Sequence, residues 1–425
     1  MPEPGSTELV QAELAVIGAG VAGCALAASL RRAGWGGSIA LLEIGRGPGG
    51  RAATRLSRND SGLRLNHGAP LFNIRTSNAA TAPPALLEPL QRGGWITPWQ
   101  GGIRSLDGDG QLSDPLSPPL DDGFSDGDLW QGTGGMEQLC RGLLDLAEEQ
   151  PGRTALHTST LVRQLEPLRD QRGDLIGWQL NNGEGSRVLQ SRWLMLSGTL
   201  LAHPRCRTVF GWPELPLQQA AERCGDPALT EAAASLARIE SAASSNLLLV
   251  LPAALAAPWL ALPWRLLQFS PTAQERWGLR RLSLQPLSDG RCGLVAESSP
   301  SFAADHRHVY GSRSSAAQLL GAAPDPTDET AVLDALQSAV ASAMESQLDD
   351  QAHQAMAGAD RQLMRWGAAF PIAAGDQPGL PADLSLCPAS RIGFCGDAAA
   401  GPGFGRVEGA LRSAEALAQR LLAEL

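Results

Sequence analysis

Leu14-Ala15-Val16-Ile17 runs straight into Gly18-Ala19-Gly20-Val21-Ala22-Gly23, and Glu43 closes the apolar run Ser38 to Leu42 twenty residues after Gly23. Alanine-rich helical sequence fills the interval to about Ala33, and Gly34 to Gly37 can end it. This reads as strand, glycine turn, helix, strand, a βαβ unit. Gly18 permits the tight turn, Gly20 lets the backbone approach a pyrophosphate, and Gly23 lets helix and strand pack closely. The helix N-terminus then faces phosphate charge, and Glu43 stands where an acid hydrogen-bonds a ribose hydroxyl. The rival reading, a glycine turn at an alanine-rich helix entry, leaves Glu43 and the flanking strands unexplained.

Outward from this unit the composition sets bounds. The chain has 425 residues, enough for two or three domains and a large core. With 48 Gly and 30 Pro it falls short of low-complexity composition, so most of it should fold. A net charge of −10 argues against nucleic-acid binding, which needs a basic face. All 34 basic residues are arginine. Lysine Schiff-base chemistry, a phosphate-loop lysine and a Tyr/Lys catalytic pair are therefore excluded. The seven cysteines are odd in number and none are at Cys-x-x-Cys spacing, which reads as reduced thiols in a cytoplasmic protein. The polar first 13 residues show no signal-peptide pattern.

Two further glycine-rich segments carry candidate chemistry. Arg46-Gly47-Pro48-Gly49-Gly50-Arg51 suits a backbone nest with an arginine clamp beside a pyrophosphate; by itself it is also an ordinary surface turn. Near the C-terminus, the strand Ile392 to Cys395 leads into Gly396-Asp397, and Gly405-Arg406-Val407 opens a helix to about Leu422. Asp397 could hold a sugar-like hydroxyl there, and the helix N-terminus, at Arg406 and Val407, could face a ring that gains negative charge.

Elsewhere the pattern predicts a helix over Trp130 to Glu149 and successive strands over Thr154 to Ser197. Asp328 to Leu348 carries an i, i+4 apolar stripe and reads as a helix. Gly101 to Asp128 carries seven Asp and one Arg and reads as a mobile acidic loop. Ser241 to Trp264 lacks charge. A buried strand at Leu247 to Leu251 and an apolar loop is the favoured reading; peripheral membrane contact through Trp259 and Trp264 is the lesser one. Asp305-His306-Arg307-His308 offers two metal ligands without a third, so no metal site is assigned.

These motifs, in this order, resemble the flavin-containing amine-oxidase superfamily, most closely its renalase branch. The resemblance lies in Glu43 to Arg55, in Asn66-His67-Gly68-Ala69-Pro70-Leu71-Phe72, in Gly134-Gly135-Met136, and in Arg365-Trp366 to Ala369-Phe370-Pro371. It departs where Asn66 replaces an acid and where typical amine oxidases place a lysine near flavin N5; the renalase branch manages without that lysine. The resemblance implies an α/β protein: a doubly wound, Rossmann-type FAD-binding domain (residues 1–75, 130–200 and 362–425) and a second, mixed-sheet substrate domain (76–129 and 201–361). It also implies bound FAD, a hydride-donating small-molecule substrate and reoxidation by O2. Gly18, Gly20, Gly23, Glu43, Gly49, Gly50, Arg51, Asp397, Arg406 and Val407 become the candidate cofactor residues. Trp366, Arg365 and His67 become the candidate catalytic ones. Trp366 either faces substrate or fills core. His67 either supports the ring's surroundings, contacts substrate or carries a covalent flavin bond. An isomeric dihydronicotinamide dinucleotide is the favoured substrate and a primary amine the second. An oxidoreductase for an isoprenoid-like substrate and a non-catalytic FAD-binding scaffold are the rival readings.

Overall fold

The structure is a computed structural model that describes residues 11–57, 59–75, 82–116, 124, 126–312, 325–373 and 378–425. The opening motif folds as read. Strand β1 (Gln11–Ile17) feeds helix α1 (Val21–Arg32), which returns as strand β2 (Ile39–Leu42). Leu14, Ala15 and Val16 are fully buried because layers cover both faces of β1.

β1 lies inside an eight-stranded sheet. In order its main strands are Thr154–His157, β2, β1, Arg187–Leu196, Leu175–Asn181 and Gln164–Arg169, and Ile392–Phe394 pairs in parallel with Arg187–Leu196. The register aligns Ile17 with Leu42 and Leu196, and Leu196 with Phe394. Four parallel strands thus end level, and the loops after them gather at one carboxyl edge, where open α/β sheets bind ligands. On one face α1 packs with Glu137–Glu148 and the terminal helix Val407–Leu422.

The second sheet has seven strands in the order Asp360–Pro371, Ser241–Leu251, Cys292–Ser298, Leu279–Pro286, Leu266–Phe269, Ile103–Leu106 and Leu112–Ser113. Helix Pro326–Ala343, on the predicted apolar stripe, buries Val332, Leu336 and Val340 against it.

Several expectations are corrected. Trp130 belongs to the strand Asp128–Gly132, and the helix begins only at Glu137, because Gly134 and Gly135 take left-handed or strained backbone. The acidic stretch 101–128 is not all loop: Ile103–Leu106 adds to the seven-stranded sheet beside Leu266–Phe269. Residues 117–123 and 125 of it lie outside the described residues. Helices between 205 and 238 pack on the second face of the eight-stranded sheet, with Leu217, Leu229 and Leu236 against Ala15 and Leu42, so the boundary lies beyond 201. The strand Asp360–Pro371 belongs to the second sheet, so the return to the first comes after Pro371. The apolar stretch before Trp264 contains a helix, Ala253–Leu260, and Trp259 and Trp264 are fully buried in the second core. That placement removes them as membrane anchors. No helix among the described residues is long and apolar enough to cross a membrane. The seven cysteines are free thiols.

Candidate active site

A cavity of about 850 Å³ runs from the carboxyl edge of the first sheet to the face of the second. At its first end Gly18 (φ +100°) turns the chain, and Gly20 bridges to Gly49, whose neighbour Gly50 also has positive φ. A Cβ at Gly23 would meet the Gly18 carbonyl oxygen at 2.1 Å, so this glycine serves helix–strand packing. A Cβ at Gly20 would meet only the Gly50 Cα, at 3.8 Å. Gly20 is therefore not required by the protein's own packing. What it keeps clear is the path from the cavity to the backbone at the N-terminus of α1. Such a cradle of glycine backbones at a helix N-terminus fits the diphosphate of a dinucleotide.

Glu43 is buried on the cavity wall. Its Oε2 accepts from the Ala19 backbone N–H at 2.8 Å and its Oε1 from Gly45 N–H at 2.6 Å. Each oxygen keeps a lone pair for a ribose hydroxyl. Ser197, which sequence reasoning missed, ties the third strand to the turn: its Oγ donates toward the Ile17 and Gly18 carbonyls, each at 3.0 Å.

Arg51 and Asp397 are brought together from 346 residues apart. Arg51 Nη1 and Nη2 donate to the two Asp397 oxygens at 2.6 and 2.5 Å, and Nη1 also reaches the Ala369 carbonyl at 3.3 Å. Burial works against the Arg51 charge, but the adjoining Asp397 carboxylate and its hydrogen bonds more than offset it, so the pKa stands above the ordinary arginine value. The clamp expected for phosphate is thus also a strap between the sheets: Arg51 closes on the terminal segment and touches the strand Asp360–Pro371. Arg406 and Val407 line the same cavity at the start of the terminal helix, as expected. Glu408, fully buried in that helix's first turn, is held by Arg412 at 3.0 Å and by Arg75 at 3.4 Å.

At the second end, Trp366 and Phe370 line the cavity from the strand Asp360–Pro371. The Trp366 indole is fixed twice. Its Nε1 donates to the His67 backbone carbonyl at 3.0 Å, and its face stacks on the His67 ring at 5.5 Å and 11°. Asn246 Nδ2 donates to the same carbonyl at 2.9 Å. His67 itself does not line the cavity; it backs Trp366. Burial, with Arg55 nearby, lowers its pKa to about 4, so its ring is neutral near pH 7. Of the roles open to His67, this placement fits support of the indole rather than contact with substrate.

Arg365 is corrected as well. It lies outside the cavity lining, with its guanidinium 5.2 Å from the Tyr310 ring centroid. The arginines that do line it there are Arg280 and Arg281, one on each side of Glu297. Arg280 Nη1 meets Glu297 Oε1 at 2.6 Å and Arg281 Nη2 meets Oε2 at 2.5 Å. Burial acts to raise the Glu297 pKa, yet the two guanidiniums outweigh it and hold the carboxyl below its ordinary range. The signal in sequence was a single acid inside the apolar strand Cys292–Ser298. No group of three or more candidate metal ligands occurs among the described residues.

Comparison with known proteins agrees with this architecture. Residues 16–82 match the family model of the NAD(P)-binding Rossmann-like domain. The chain aligns with a variant of putrescine oxidase over 98% of its length and 100% of that chain, at 12% identity and a TM-score of 0.58. It aligns with a putative protoporphyrinogen oxidase from Exiguobacterium sp. 255-15 over 99% and 100%, at 14% identity and 0.57. The chain has the amine-oxidase fold. A third structure of this fold, cyclohexylamine oxidase from Brevibacterium oxydans IH-35A, covers 97% and 99%, at 15% identity and 0.57. No curated protein matched the sequence.

Proposed function

We propose that this chain is an FAD-dependent oxidoreductase that takes hydride from a small organic substrate. One observation carries the reading: the glycine cradle at α1 and the indole of Trp366 open into a single cavity that joins the two sheets. Gly18, Gly20, Gly49 and Gly50 would receive the diphosphate, Glu43 a ribose hydroxyl, and the Gly396-Asp397 turn with Arg406 and Val407 the flavin end. When bound, the flavin supplies a two-electron acceptor that the side chains lack.

What the chain's own residues contribute is placement. Trp366 and Phe370, on the second sheet, give flat walls for a planar donor. Three groups near the cavity that could act as a base are screened or engaged. His67 is neutral but behind the indole, Glu297 is tied to two arginines, and Asp397 is tied to Arg51. An alkylammonium would find these two carboxylates already engaged and guanidiniums beside them. A dihydropyridine needs no N–H deprotonation before it gives hydride. These features favour an isomeric dihydronicotinamide dinucleotide over a primary amine, with O2 as the electron acceptor. The burial of Trp259 and Trp264 removes the motive for an isoprenoid-like substrate.

The flavin would be held without a covalent bond, since neither His67 nor Cys395 lines the cavity. Acid precipitation of the purified protein should release all yellow colour as FAD. Colourless protein that fails to take up FAD would remove the reading, and colour kept in the pellet would remove its non-covalent part.

A further inference from the structure

We infer that Arg205 is a second diphosphate-binding residue, acting with Arg51 across Asp397. This rests on the dinucleotide reading above and adds to it a residue that belongs to none of the sequence motifs.

Arg205 opens the short helix Arg205–Phe210 and lines the cavity together with Arg51, Asp397, Ser197 and Thr199. Two connections place it beside the glycine cradle. Its Nη2 donates to Thr199 Oγ1 at 3.0 Å, and Ser197, two residues before Thr199, is hydrogen-bonded to the Gly18 carbonyl. Its partner across the site, Arg51, directly follows Gly49-Gly50, which bridges to Gly20. Its remaining terminal nitrogen, Nη1, is enclosed and meets no acceptor. Buried donors in folded proteins are normally satisfied, and a guanidinium is costly to leave otherwise. Asp397 is close enough to favour its charge, but no hydrogen bond or ion pair joins the two; the Asp397 oxygens bond Arg51. Two guanidiniums thus line the same part of a ligand cavity, one bonded to Asp397 and the other only near it. Burial and the nearby Arg51 pull the Arg205 pKa down to about 10, still protonated at neutral pH. A diphosphate offers several charged acceptors to planar guanidinium donors, and Arg205 lines the cavity that would receive it.

The diphosphate could belong to FAD or to a dinucleotide substrate, and the test separates them. Full-length wild type, Arg205→Gln and Arg205→Lys are stripped of flavin and titrated with FAD and with riboflavin, which lacks phosphate. A thermal melt of each variant checks folding. If the cluster holds FAD, Arg205→Gln weakens FAD binding about 10- to 100-fold, leaves riboflavin within about twofold, and flattens the salt dependence. Arg205→Lys recovers part of the loss. If it holds substrate, FAD affinity is unchanged. The half-saturating concentration of dihydronicotinamide dinucleotide in flavin reduction then rises about tenfold, and that of the mononucleotide does not. Equal behaviour of wild type and Arg205→Gln in both arms overturns the inference, as does an equal loss of FAD and riboflavin. A wild type that takes up neither flavin strikes the FAD reading and this inference with it; normal FAD uptake by wild type and Arg205→Gln, with substrate unaffected, strikes only the role of Arg205.

Discussion

Gly20 and Gly23 are three residues apart and do different work, and substitution separates them. An added methyl at Gly23 collides with the Gly18 carbonyl at 2.1 Å, whereas at Gly20 it meets ordinary contact at 3.8 Å. Compared without flavin, Gly20→Ala should melt as the wild type does and lose most FAD binding; Gly23→Ala should fail to fold or melt many degrees lower. Paired melting and FAD titration check both, and equal behaviour of the two variants would refute the division. His67 gives a pH prediction. Its folded pKa of about 4 is below the ordinary value of 6.5, so the unfolded chain binds more protons between these limits. Its contribution is complete above about pH 6.5 and is lost as pH falls toward 4, at most about 3 kcal/mol in all. Denaturant unfolding of wild type and His67→Gln across this window should show the wild type losing stability more steeply. At this scale the glycines, Glu43 and the terminal Gly396-Asp397 were legible because each has a fixed offset from a strand end. Arg365 misled because a neighbour in sequence was taken as a neighbour in space: Trp366 lines the cavity, whereas the Arg365 guanidinium lies against Tyr310. Arg205, Asn246 and Glu297 were hidden, since the partners that give them meaning lie far away in the chain.

At the scale of elements, the helix Ala253–Leu260 and the turn after it are core, not surface. Trp259 is fully buried, and its Nε1 donates to the Ala352 carbonyl at 3.2 Å. Trp259→Ala should cost about 3–5 kcal/mol in urea unfolding, while FAD affinity stays unchanged and wild type fails to sediment with anionic vesicles. A loss below about 1 kcal/mol would contradict its place in the core. The terminal strand Ile392–Phe394 makes the opposite case, because it delivers Asp397 to Arg51. Asp397→Ala should lose flavin although it lies 377 residues from Gly20 in sequence; normal flavin content would detach the terminal segment from the site. The βαβ unit and the terminal helix were readable from periodicity and glycine placement. The strand Ile103–Leu106 was not, since only its first and last residues are apolar and acids and glycines surround it. The helices between 205 and 238 carry apolar faces that would suit either sheet, so sequence alone could not assign them.

The whole molecule places a dinucleotide cradle on one sheet, an aromatic wall on the other, and the Arg51–Asp397 pair between them. That arrangement would give a hydride donor a flat seat without a lysine. Mixing the oxidised yellow protein with a substrate panel under anaerobic conditions, while following flavin absorbance, tests this account most directly. The account predicts bleaching within about a second by an isomeric dihydronicotinamide dinucleotide, and far slower or no bleaching by benzylamine or a catecholamine. Rapid bleaching by simple amines with none by dihydronicotinamides would contradict the substrate assignment, and a flavin that no donor reduces would contradict the enzyme itself.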